Sequence, residues 1–122
     1  MRLSRPWPVG FIVALAWSGM ALAHAVPNAE VPAAGTTLRA APTEVSNTFS
    51  ETVDPHFSEV IVRNAGGQRI DDGTTRPDPG NAARLSVGLK QSLAAGAYTV
   101  LWHVLAADGH RTQGSYGFTV AP

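Results

Sequence analysis

Gly96-Ala97-Tyr98-Thr99-Val100-Leu101-Trp102-His103-Val104 is the stretch that decides the fold. Large apolar side chains stand at every second position, Tyr98, Val100, Trp102 and Val104. A period of two is that of a β-strand with one buried face. Trp102 lies mid-stripe and reads as the centre of the core. His103 falls on the opposite face and reads as a surface strand residue.

The same period recurs on both sides of this stretch. Tyr116, Phe118 and Val120 form the last stripe, and Leu85, Val87 and Leu89 the one before. Val60 and Val62 alternate within 58–63, ahead of a turn at Asn64-Ala65-Gly66-Gly67. Val45, Asn47 and Phe49 share a face, and Asn47 is the polar exception: it belongs at a sheet edge or bonds to backbone. With an extended segment near 24–31, this makes about seven strands and no helix. The Asp/Pro/Gly-rich stretch 71–81 is expected to be an exposed loop. Tyr98, entering its strand just after Gly96, resembles the tyrosine corner of Ig-like sandwiches. The expected class is all-β, an antiparallel Ig-like sandwich or barrel.

Residues 1–23 have the pattern of a cleaved export signal. Arg2 and Arg5 precede an apolar run from Val9 to Leu22, which ends in Ala21-Leu22-Ala23. The expected domains are therefore a signal peptide, 1–23, and one sandwich domain, 24–122, of 99 residues. Cleavage removes Arg2 and Arg5, leaving seven basic against nine acidic residues, a net charge of about −2. Nothing in that balance suits nucleic acid. No second apolar segment follows, so the mature chain is expected to be soluble. There is no cysteine, and Met1 and Met20 both lie in the signal, so residues 24–122 hold no sulfur.

Cleavage after Ala23 makes His24 the first residue. A terminal histidine offers its α-amine and its ring Nδ1 to one metal ion, and copper(II) favours such tetragonal N and O ligation. The competing reading is that cleavage simply falls before a histidine. Asp108-Gly109-His110 strengthens the metal reading: in extended backbone, positions two apart point to one face, and Gly109 between them removes bulk and permits a turn. Taken alone, the pair also suits an ordinary polar loop. Glu51, at a strand end, reads equally as a surface acid or as a carboxylate that steadies a metal-bound histidine. His56, after Asp54-Pro55, reads as an exposed turn residue or a peripheral ligand. No phosphate-binding Gly loop, HExxH or Gly-x-Ser-x-Gly elbow is present.

The ordered blocks resemble the CopC-like periplasmic copper-resistance proteins. They are His24 after the cleavage site, Pro32 to Leu38, Ala41 to Val45, Phe49 to Val53, and Leu93 to Val120 with Ala107-Asp108-Gly109-His110. The resemblance implies a seven-stranded antiparallel Ig-like, cupredoxin-like fold with a copper(II) site like a histidine brace. In it His24 supplies amine and ring nitrogens, His110 a second ring and Asp108 a carboxylate, with Glu51 nearby. Some members carry a Met-rich copper(I) loop, which this sequence lacks. Asn47, where the family tends to be aliphatic, and Ala106, where a serine is common, are smaller departures.

The expected function is that of a periplasmic copper(II) carrier or buffer in copper homeostasis or resistance, with a separate inner-membrane copper transporter as partner. No enzymatic activity is expected. The alternatives are a copper-dependent oxidative enzyme and a metal-free Ig-like interaction module. A chain this short with few exposed aromatics offers little polysaccharide-binding surface, and the metal-free module leaves His24, Asp108 and His110 unexplained.

Overall fold

The computed structural model describes Ser4 and residues 25–122. The expected signal peptide, Ser4 apart, and His24 lie outside the described residues. Among the described residues, eight strands form two four-stranded sheets: β1 (Pro27–Val31), β2 (Thr37–Leu38), β3 (Glu44–Phe49), β4 (Glu59–Asn64), β5 (Asp71–Asp78), β6 (Asn81–Leu89), β7 (Gly96–Leu105) and β8 (Arg111–Val120). One sheet runs β1-β3-β6-β5 and the other β2-β8-β7-β4. Every pairing is antiparallel except the two-residue contact of β2 with β8. The all-β sandwich is as expected.

The stretch 71–81 is not a loop. It is β5 and the start of β6, joined across Pro79-Gly80 by an Asp78↔Asn81 pair. Its sequence hides this because β5 is an edge strand: only Asp71 is buried, so no apolar alternation develops. Pro77 is tolerated there because an edge strand has one side without a ladder partner. β5 and the short β2 join the six segments named from the sequence, so the described residues hold eight strands rather than about seven.

The core lies between the sheets. Val45, Phe49, Val60, Val62, Leu85, Val87, Val100, Val104 and Phe118 are all but fully buried in it. Trp102 meets Phe49 edge-on with ring centroids 5.3 Å apart, and Tyr98 stacks on Phe118 at 5.4 Å. Gly114 is the cross-strand partner of Trp102. A Cβ at that position would stand 2.6 Å from Trp102 Cζ2, so the indole occupies the space of the missing side chain. The Tyr98 hydroxyl donates to the Ala94 carbonyl four residues upstream, the tyrosine corner its position suggests.

Asn47 meets neither expectation. It lies on β3, inside its sheet, and is fully buried. Its partner is a side chain of the other sheet: the Tyr116 hydroxyl donates to Asn47 Oδ1 at 2.6 Å. Among the described residues, Asn47 Nδ2 has no partner. Burial raises the Tyr116 pKa, the charge of Glu30 adds to this, and the Asn47 hydrogen bond offsets part of it.

The open edge of β4 is closed by side chains of β5. Asp71 Oδ2 accepts from Val62 N–H at 2.7 Å, and Thr75 Oγ1 from Val60 N–H at 3.0 Å. The Asp71 side chain is 0 % exposed, and Oδ1 also accepts from Gly73 N–H at 2.8 Å and Arg69 Nε at 2.7 Å. These contacts tie the two sheets along one side, giving the sandwich a partly barrel-like closure.

Candidate metal centre

The β7–β8 hairpin ends at the Leu105↔Arg111 pair, and residues 106–110 turn the chain. Ala106 N–H donates to the His110 carbonyl at 2.9 Å, and Gly109 N–H to the Ala106 carbonyl at 2.9 Å. Gly109 has φ +89°, a left-handed conformation that glycine adopts without strain. Asp108 Oδ1 accepts from His110 N–H at 2.9 Å. Its Oδ2 lies 3.0 Å from His110 Nδ1.

The carboxylate and the imidazole therefore converge, though not by the extended backbone the spacing suggested. A tight turn with an Asp-capped N–H does it, and Gly109 permits the turn. Both residues remain accessible, with side chains 33 % and 59 % exposed.

The segment 52–54 lies alongside this turn. Ala107 N–H donates to the Thr52 carbonyl at 2.9 Å, Asp54 N–H to the Leu105 carbonyl at 2.8 Å, and Val53 bridges to Ala106. Glu51, half-buried, precedes this strip. The N-terminal end of the described chain arrives at the same corner. Ala25 is fully buried, and its carbonyl accepts from Thr112 Oγ1 at 2.7 Å. Val26 N–H donates to Ser50 Oγ at 3.1 Å, and Ser50 N–H returns to the Val26 carbonyl at 2.8 Å. Sequence reasoning missed Ser50 and Thr112. These contacts span 24 and 87 residues, beyond any local pattern.

The other two histidines lie elsewhere. His56 sits in a short 3-10 turn, Pro55–Phe57, with its side chain 87 % exposed. His103 projects from the outer face of β7, with Nε2 3.4 Å from Glu59 Oε2. Among the described residues, no three His, Asp or Glu side chains stand together as a metal cage. Asp108 and His110 offer two donors, a carboxylate oxygen and an imidazole nitrogen, of the N/O type that suits copper(II).

The sequence profile of the CopC domain matches residues 28–121. This chain belongs to the CopC family. It is 37 % identical over 98 residues to protein YobA of Escherichia coli K12, covering 80 % of this chain and 79 % of that protein. It is 30 % identical over 117 residues to copper resistance protein C of Escherichia coli, covering 91 % and 90 % of the two chains. Among solved structures it resembles CopC from Methylosinus trichosporium OB3b, with TM-score 0.75 and 28 % identity over 81 % of this chain and 95 % of that one. PcoC, a methionine rich copper resistance protein from Escherichia coli, gives TM-score 0.71 at 26 % identity, over 81 % of this chain and 100 % of that one.

Proposed function

We propose that this CopC-family protein is an exported copper(II)-binding protein, a periplasmic carrier or buffer in copper homeostasis and resistance. Its domains are a cleaved signal, 1–23, and the binding domain, 24–122. The ligands are the α-amine and ring of His24, the imidazole of His110 and the carboxylate of Asp108, with Glu51 as a neighbouring acid.

The observation that carries this reading is the Asp108–His110 pair, with its 3.0 Å separation. Bonds of about 2.0 Å at right angles place neighbouring donors of a tetragonal ion ~3 Å apart. The tethering of Ala25 to Thr112, two residues past His110, supports a terminal histidine joining them. The family relatives named for copper resistance support the metal. One more relative, copper transport protein CutJ of Bacillus subtilis, is 28 % identical over 120 residues, which are 98 % of this chain but 22 % of that protein. Its name fits a separate copper transporter as this chain's partner. Residues 24–122 contain no Met or Cys, so the hard and borderline donors select copper(II) over copper(I).

The test is a copper(II) titration followed by EPR on protein beginning at His24. One tight ion per chain is expected, lost on acidification as protons compete for the amine and imidazole nitrogens. His110→Ala, or one extra residue before His24, should weaken binding ~100-fold or more. Equal affinity in the N-terminally extended protein sinks the brace.

A further inference from the structure

Ala25 and Val26, ahead of β1, are held by side-chain hydroxyls rather than by the sheet alone. Pro27, the first residue of β1, has no N–H, and the β1–β3 register shifts between Pro27 and Ala29. Thr112 Oγ1 donates to the Ala25 carbonyl at 2.7 Å. Ser50 Oγ accepts from Val26 N–H at 3.1 Å, and Ser50 N–H donates to the Val26 carbonyl at 2.8 Å. Three hydrogen bonds thus fall on two residues that belong to no strand.

Ala25 also locks the register of this segment. It is fully buried, whereas Val26 is 47 % exposed. Sliding the chain by one residue would drive the larger Val26 side chain into the space of the Ala25 methyl and break all three bonds. Thr112 reaches this space because its cross-strand partner is Val104, a core residue, and paired residues share a face. Thr112 lies two positions past His110, and Ser50 directly precedes Glu51. Both anchors therefore stand on the segments that carry the candidate site.

Building on the reading of His24 as a ligand, we propose that Thr112 and Ser50 are positioning residues for the metal site. They act through the backbone of Ala25 and Val26 and are not ligands themselves. Chain termini are poorly ordered unless tied down. Consecutive Cα atoms are about 3.8 Å apart, so fixing Ala25 confines the α-amine of residue 24 beside the Asp108–His110 turn. The entropy of ordering is then lost in folding rather than on binding the ion.

Thr112→Val keeps the shape of the side chain and removes its hydroxyl. In protein beginning at His24 it should lower copper(II) affinity about tenfold, the equivalent of ordering one further backbone residue on binding. Thr112→Ser should restore the affinity. Tyr98→Phe, which loses a hydrogen bond at the other end of β7, should leave it unchanged. Amide exchange of Val26, followed by NMR without copper, should quicken in Thr112→Val and in Ser50→Ala. In protein with one extra residue before His24, Thr112→Val should bring no further loss, because the amine is already displaced. A glycine inserted between His24 and Ala25 keeps a terminal histidine and should weaken copper(II) as much as the extra residue does. Wild-type affinity in Thr112→Val or in the insertion variant overturns the proposal. So does an equal loss from Thr112→Val with and without the extra residue, which makes the hydroxyl merely structural. Failure of the brace itself is read separately, as wild-type affinity in the extended protein.

Discussion

Asp71, in the seam between β4 and β5, and Asp108, in the β7–β8 turn, each accept backbone N–H groups and each face a basic side chain. They differ in burial. The Asp71 side chain is 0 % exposed, with donors from β4, from its own strand and from Arg69. Asp108 keeps a third of its side chain in solvent, beside an imidazole that is more exposed still. A buried carboxylate surrounded by fixed donors holds strands together and cannot be surrendered to an ion. An accessible one, positioned by a turn, can bind a metal without disturbing the fold.

Exchanging the two roles by mutation is the strongest way to break this comparison. Asp71→Ala leaves the Val62 and Gly73 N–H groups without their acceptor and should cost roughly 2–4 kcal/mol, read by denaturant unfolding. Its copper(II) stoichiometry should remain that of wild type while the protein stays folded. Asp108→Ala should change stability by less than about 1 kcal/mol, as surface substitutions do. Its copper(II) affinity should fall ~10–100-fold. If Asp71→Ala weakens copper and Asp108→Ala unfolds the chain, the contrast is wrong.

A smaller effect probes the core behind the hairpin. Gly114→Ala drives a methyl into the Trp102 indole and should destabilise by about 1–3 kcal/mol, with Trp fluorescence reporting the displacement. The copper(II) binding proposed for the turn should survive it, because Asp108 and His110 are positioned by local hydrogen bonds.

Tyr116→Phe removes the bond across the sandwich and should cost about 1–2 kcal/mol at neutral pH. Its pH dependence sharpens the point. The Tyr116 pKa is raised in the folded state, so the proton is held more tightly folded than unfolded. That stability is fully present below the unfolded value of ~10 and is lost as pH rises above it. Unfolding curves from pH 8 to 11 should therefore fall more steeply in wild type than in Tyr116→Phe. Of the two tyrosine substitutions the smaller change is expected in Tyr98→Phe, about 1 kcal/mol from the lost bond to Ala94.

Much of this molecule is legible in its residues, and for a local reason. The alternation of Tyr98, Val100, Trp102 and Val104 declares a half-buried strand, and Gly96 ahead of it places the tyrosine corner. Asp108 and His110 stand two residues apart around a glycine, so a single turn brings them together with no help from elsewhere. β5 escaped because its residues bury almost nothing, and its place comes from a ladder with β6 rather than from its own pattern. Asn47 read as an edge or backbone-bonded residue because its partner, Tyr116, is 69 positions away.

The residues alone determined the strand period, the absence of sulfur from 24–122 and the kind of donor atom available to a metal. They also permit the sharp turn at Gly109, since glycine adopts φ +89° without strain. Only the tertiary structure decided which aspartate is sealed in a seam and which is left accessible. It alone set Ala25 against Thr112 and Glu59 opposite His103. Ala25 and Thr112 stand 87 positions apart and Glu59 and His103 stand 44 apart, so no short window of sequence contains both partners.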